Sequence, residues 1–444
     1  PSLSLRGLDA HEYYRMHQGE FHDVTGTGGS LDTRSVHVID LILASLRYWV
    51  QDVHVDGFRF DLAATLGRDD HGFRPDNPLL RAMITDPVLR GVKLIAEPWD
   101  VGTGGWQTGS FPAPFAEWND AFRDDVRSFW FADRAERQRS GTQAIGGVRD
   151  LATRLAASSD VLTRNDPVGL PAGRSLRSPW ASINYVTAHD GFTLADLTTY
   201  ESKRNQANGE DNRDGTSNNR SWNHGHEGEV APNSAEGQAI LAHRRRTTRA
   251  VLATLLLASG TPMLTAGDEF HRSQRGNNNA YCQDNEISWV DWEHDEHGVA
   301  LASVVRALTT LRRAHPQLRS PHFLRPADPS ALDPGQVAWF RPDGAVMDHD
   351  DWMNASQHVL GMLRPGIPDA DGCTHLYVLL SGEENDTTVR LPTVPWPHGI
   401  TRVLFDSTLE VPSAAPSEPL SSDQLTMPAG SVIVLGIEVS KDVG

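Results

Sequence analysis

The chain has 444 residues, a net charge of −18, 39% apolar residues and 22% charged residues. That length gives room for roughly two or three domains. The acidic balance excludes nucleic acid as a partner, because phosphate contacts need clustered Lys and Arg. No stretch reaches the ~18 consecutive apolar residues of a membrane span, and the first residues do not read as a signal peptide. The two cysteines, Cys282 and Cys373, make no disulfide scaffold, which favours a reducing compartment such as the cytoplasm. Twelve Trp residues lean toward a sugar ligand, since indole faces suit sugar rings as well as cores.

In chain order, residues 1–34 read as loop, rich in turn formers from Phe21 to Ser30. Ser35 is placed to cap a helix over residues 36–50, in which Val36, Ile39, Leu43, Leu46 and Val50 share one face. The segment Val55–Ala64 reads as a buried strand ending in Asp61. Asn77 and Pro78 open a short helix to about Thr85. Lys93 to Glu97 reads as a strand that Pro98 ends. Phe115–Asn119 reads as a short strand, with a helix from Asp120 to about Phe131 and weak helix and loop over 132–180. Ser182–Ala188 is the next strand and runs into His189 and Asp190. Residues 200–234 form a long polar loop, of a length that is usually functional. A helix over 235–259, a strand over 261–266, a second polar loop over 273–286 and a helix over 299–314 follow.

Alternating strands and helices predict parallel β/α units in the first 329 residues. From residue 330 onward, alternating segments such as Thr374–Leu380, Thr387–Leu391 and Ser431–Leu435, separated by Pro/Gly/Ser runs, predict an antiparallel β domain over 330–444.

Arg59 and Asp61 lie two residues apart on one strand, so they face the same way. A fixed guanidinium keeps a neighbouring carboxylate ionised, as a carboxylate nucleophile requires. A structural ion pair at a strand end has the same signature. Glu97 and Asp190 fall at further strand ends, where (β/α)8 barrels gather their functional residues. Three such carboxylates suit glycoside hydrolysis with retention, in which one attacks the anomeric carbon and another gives and then takes a proton. The acid needs a pKa raised by burial or by a neighbouring negative charge. His224, His226 and Glu227 lack a second ligand pair, so neither metal nor cofactor is expected. Arg244–Arg246 reads as a solvated helix face, His294–His297 as a solvated turn and Asp348–Asp351 as surface acid.

Asp56–Asp61, Ile95–Trp99 and Val186–Asp190 stand in order and at matching positions. With them the chain resembles the α-amylase superfamily of glycoside hydrolases, family 13. Asn208–Gly215, Ser221–Gly225, Gly276–Trp289, Phe115–Asp120 and Gly260–Leu264 bring it nearer the bacterial glycogen debranching and isoamylase-type members. The resemblance implies a (β/α)8 TIM barrel with a C-terminal β-sandwich. It implies Asp61 as nucleophile, Glu97 as general acid/base and Asp190 as stabiliser of the oxocarbenium-like transition state. Arg59 would orient Asp61, His189 would bond a sugar hydroxyl, and Trp99 would stack on a ring or fill the core. The implied substrate is a branched α-glucan such as glycogen or limit dextrin, cut at α-1,6 linkages. Hydrolysis or transfer on α-1,4 linkages, and a non-catalytic glucan-binding fragment, are the alternatives.

The superfamily's Asp-x-x-x-Asn-His motif does not precede Asp61. The helix at 36–50 would then be the one before barrel strand four. The expectation is an incomplete barrel of strands four to eight, inactive or poorly stable on its own, with exposed parallel edges.

Overall fold

The computed structural model describes residues 5–141, 147–165, 175, 177–329, 332–368, 372–392, 399–413 and 415–440. The chain forms two compact units, Pro1–Asp120 with Ser159–Ile183, and Ala121–Ser158 with Asn184–Gly444. Each is described separately.

In the first unit, the helix Val36–Gln51 begins where expected. The Ser35 side chain accepts bonds from the His37 and Val38 N–H groups at 3.2 and 3.3 Å. The helix Pro78–Thr85 is capped by Asn77, whose Oδ1 accepts from Leu79 N at 2.9 Å. Three parallel strands, Gly57–Phe60, Lys93–Ala96 and Ala116–Asn119, pair in that order, with Arg59 opposite Ile95 and Ala96 opposite Glu117. Leu43, Leu46, Leu79, Met83, Leu94 and Phe115 close the core between sheet and helices. Glu117 is fully buried on its strand. Burial pushes its carboxyl upward, against the Arg177 guanidinium at 2.5 Å, and Phe111 N donates to it at 3.1 Å.

Three expectations change here. The 1–34 region is not all loop: Arg6–Tyr13 is a helix, and Met16–His17 pairs with Glu20–Phe21. The strand before Asp61 is half-buried rather than buried, because Gly57–Phe60 is the end strand of its sheet. The helix Val36–Gln51 is apolar on two sides. Its outer side leaves Leu41 and Trp49 each 46% exposed, which the one-face reading of its periodicity missed.

The second unit contains the long helices Ala235–Leu257 and Glu296–Ala314 and a six-stranded sheet. The sheet order is Arg325–Pro326, Gln336–Phe340, Val359–Arg364, Gly372–Ser381, Ser431–Ser440 and Ile400–Asp406. Its four inter-strand pairings from Gln336 onward are antiparallel. One face joins Leu252, Leu256 and Val304 in a core with Leu376, Val378 and Val434. The other face, with Tyr377, Leu379 and Leu435, packs with Val389 and Met427 of the two-stranded antiparallel sheet Thr387–Arg390/Gln424–Met427. After the helix Asp120–Arg127, a π-helical turn over Ser128–Ala132 leads into a further helix, Asp133–Ser140. The helical run therefore outlasts the expected end near Phe131. Some of the 132–180 stretch read as weak helix and loop lies outside the described residues.

The strands expected over 182–188 and 261–266 shrink to Ser182–Asn184 and Thr261–Pro262. Backbone pairing persists there, with Met263 N donating to Asn184 O at 2.7 Å, and side-chain bonds add to it: Asn184 Nδ2 donates to Ser259 O, and Arg312 holds the carbonyls of Leu256, Ala258 and Gly260. The Arg244–Arg246 run is not a solvated face. Arg244 is buried and donates to the carbonyls of Gly228, Asn223 and His226, while Arg246 reaches Ala429 O. Asp295 is the N-cap of the helix Glu296–Ala314, accepting from Gly298 N at 2.7 Å. Asp348 and Asp351 form a capping box on the helix His349–Met353. Both acidic runs are thus helix starts rather than plain surface.

Candidate active site

The first cluster lies at the C-terminal ends of two neighbouring parallel strands in the first unit. Arg59 Nη1 donates to Asp61 Oδ1 at 2.5 Å. Arg59 Nη2 forms an ion pair with Glu97 Oε1 at 2.8 Å. One guanidinium therefore joins the two carboxylates expected to act. It is held from below by Trp118, whose ring lies 4.3 Å from the guanidinium carbon, a cation–π contact that fixes the plane of the fork. The two carboxylates are not equivalent. The Asp61 side chain is 70% exposed and that of Glu97 is 5% exposed.

Backbone geometry adds a third partner. Leu62 is left-handed, at φ 40° and ψ 45°, a conformation that costs a non-glycine residue about 1–3 kcal/mol. It turns the Leu62 N–H onto Glu97 Oε2 at 2.6 Å. Ala63 N then donates to Glu97 O at 2.9 Å, and Trp99 N to the same oxygen at 2.9 Å. Glu97 thus fixes the chain on either side of it. Trp99 is half-buried beside this turn. Arg68 clamps the next loop through Asp100 at 2.5 and 2.7 Å.

The second cluster is in the second unit. His189 Nε2 lies 3.3 Å from Asp190 Oδ2, and both side chains are exposed. Gly191 follows at φ +104°, a left-handed position that suits glycine, and its N–H donates to Asn278 O at 2.9 Å. Two buried carboxylates hold the turn. Asp268 accepts from Leu194 N at 2.9 Å and from Thr187 Oγ1. Asp196 accepts from Ser273 Oγ at 2.6 Å and Gln274 N at 2.9 Å. Burial pushes each of these carboxyls up to about 6. Arg127, also buried, donates to Val186 O at 2.7 Å and Asn219 O at 3.3 Å.

Asp190 opens into a cavity of about 510 Å³ lined also by Arg123, Arg127, Arg220, Asn278 and Asn279. The two polar loops meet at its wall. Asn205 Nδ2 donates to Asn278 Oδ1, Asn278 Nδ2 to Thr216 O and Asn219 Oδ1, and Asn208 Nδ2 to Asp214 Oδ2, all at 2.7–2.9 Å. Gly215, at φ +69°, sits where a Cβ would strike Asn278 and Asn205. Lys203 Nζ caps the carbonyls of Asp214 and Gly215 at 2.9 Å each.

Sequence reasoning singled out Arg59, Asp61, Glu97, His189 and Asp190, and the structure places them in two groups, one per unit. It missed Trp118, the Leu62 N–H and the Asp268 and Asp196 clamps. Trp118 lay inside the recognised Phe115–Asp120 motif, and Asp268 follows the strand at 261. No periodic signal announces a left-handed Leu62. His224 is no metal ligand: it is buried, stacked on Trp222 at 3.9 Å and 3.0 Å from Thr247 Oγ1. Burial first, then Arg134, holds its imidazole well below the usual range. Among the described residues no His/Cys/Asp/Glu group could hold a metal ion, and no helix is long and apolar enough to cross a membrane.

Solved structures share this fold. A pullulanase from Bacillus acidopullulyticus superposes with a TM-score of 0.64 at 18% identity, covering 96% of this chain and 43% of that one. A pullulanase variant from Paenibacillus barengoltzii complexed with maltotetraose gives a TM-score of 0.64 at 21% identity, covering 98% and 56%. The fold is therefore that of the pullulanases. In sequence, residues 336–434 match the family "Isoamylase, C-terminal". A glycogen debranching enzyme of Cronobacter sakazakii is 43% identical over 397 residues, 89% of this chain and 54% of that protein. A "glycogen operon protein GlgX homolog" of Mycobacterium bovis is 44% identical over 381 residues, 84% of this chain and 49% of that protein. The chain is similar to these glycogen debranching proteins over 84–89% of its own length, and it spans about half the length of the curated relatives it matches.

Proposed function

We propose that the chain supplies the catalytic carboxylates of an enzyme that hydrolyses α-1,6 branch linkages of glycogen or limit dextrin with retention of configuration. The observation that carries this reading is the Arg59 fork joining Asp61 to Glu97 across neighbouring strand ends. Asp61, the exposed carboxylate, attacks the anomeric carbon while Arg59 holds it aimed. Glu97, buried and held by the Leu62 N–H, gives its proton to the departing glycosidic oxygen and then activates water. Asp190 and His189 bond hydroxyls of the ring being cleaved, Asp190 offsetting the positive charge that develops on it. Trp99 offers an aromatic face at the rim.

In this reading residues 1–329 are strands four to eight of a (β/α)8 barrel and 330–444 a C-terminal β-sandwich domain. The end position of Gly57–Phe60 in its sheet supports an incomplete barrel wall. The enzyme works in the cytoplasm, without a cofactor, on a soluble branched glucan. Comparing chain release from a branched limit dextrin and from linear amylose tests the choice of linkage. Preference for the dextrin is expected, and equal rates would overturn it.

A further inference from the structure

A second cavity, of about 720 Å³, lies in the second unit and shares no lining residue with the Asp190 cavity. The loop that connects them faces both ways. Asn278 and Asn279 wall the Asp190 cavity, and the return of the same loop presents Trp289 and Trp292 to the other. Those two indoles are 60% and 76% exposed. Leaving two such large apolar faces in water is costly. Trp289 is also oriented: its Nε1 donates to Asp284 Oδ1 at 2.9 Å, so its polar edge is satisfied and its faces stay free.

The lining chemistry narrows the ligand. Glu229, Glu286, Asp291, Glu293 and Asp295 stand against Arg272 and Arg275, so phosphates and carboxylates are repelled. A cation would need rings gathered about one centre. Here His294 stacks on Phe270 at 4.0 Å, closing that ring's face, and Phe270 meets Trp292 at a tilt of 50°. The two tryptophans are separate platforms. Neutral rings with C–H faces and hydroxyl edges, repeated along a chain, fit platforms flanked by carboxylate acceptors and the Arg275–Glu286 pair at 3.5 Å.

We propose that this cavity is a second carbohydrate site, which holds a short linear run of α-glucan on Trp289 and Trp292, apart from the reacting ring. The proposal rests on the α-glucan reading above. It gives the polar loop a double role: one side shapes the Asp190 cavity and the other keeps the polymer close.

The test is calorimetric titration of the full natural protein with maltohexaose, using wild type, Trp289→Ala/Trp292→Ala, Trp289→Phe/Trp292→Phe and Asp190→Ala. Hydrolysis of a small singly branched oligosaccharide and of glycogen is measured alongside. Expected is a maltohexaose site that survives Asp190→Ala, weakens at least about tenfold in the Ala pair, and returns in the Phe pair. Cleavage of the small substrate stays at the wild-type rate in the Ala pair, while KM for glycogen rises. Unchanged maltohexaose binding in the Ala pair, or loss of all binding in Asp190→Ala, overturns the second site. Wild-type cleavage of the branch under either of those results leaves the enzymatic reading standing. Binding at the tryptophans without any branch cleavage does the reverse.

Discussion

The guanidinium of Arg59 reaches past Asp61 on its own strand to Glu97 on the next, at 2.8 Å. Two carboxylates that must play different parts thereby share one cation while differing in exposure. Arg59→Lys keeps a charge but cannot serve both in a fixed plane. It is expected to lower kcat about 10²-fold with little change in KM, and Arg59→Ala to cost more. Steady-state kinetics on limit dextrin check this, and a pure KM effect would count against the shared-cation role.

Asn278 is buried and makes four side-chain and backbone bonds between the two polar loops. Asn278→Ala leaves several of those partners unpaired, at a cost of about 1–3 kcal/mol. A lower Tm, and a higher KM from a loosened cavity wall, are expected. Calorimetry with kinetics would detect both.

Asp268 titrates near 6 because it is fully buried. Its folded pKa lies above the unfolded value of about 4. The stability tied to its protonated form is therefore complete below pH ~4 and is lost as pH rises through about 6. Asp268→Asn removes that dependence. The stability of wild type minus that of the variant should fall between pH ~4 and ~6 and then level off. Denaturant unfolding across that range tests it, and a flat difference would contradict the burial argument.

Leu41 and Trp49 lie on the outer side of the helix Val36–Gln51, each 46% exposed, beside a sheet whose end strand is Gly57–Phe60. Such surfaces promote association. For residues 1–444 alone, Leu41→Glu with Trp49→Glu is expected to reduce aggregation without a large loss of stability. Light scattering after size-exclusion chromatography would measure the change.

The parts of the fold that repeat locally were legible in the sequence. Ser35 and Asn77 announce helix starts, and apolar spacing announces the helices at 36–51 and 235–257. Arg59 and Asp61 were legible as a same-face pair two residues apart, and Glu97 because Pro98 ends its strand. What escaped depends on distant partners. Arg244 reads as a surface charge until three carbonyls arrive to receive it. The strands at 182 and 261 read longer than they are, because apolar residues such as Tyr185 and Val186 stay buried beyond the paired segment. Leu62 gives no hint that its N–H turns toward a carboxylate 35 residues away.

The central claim is that Asp61 opens an α-1,6 linkage through a covalent glycosyl-enzyme. Proton NMR of limit-dextrin hydrolysis by the full natural protein tests it directly. Wild type should erase the α-1,6 anomeric signal and deliver the α-anomer first, and Asp61→Asn should slow this by about 10⁴-fold or more. A β-anomer appearing first, or undiminished cleavage by Asp61→Asn, would contradict it.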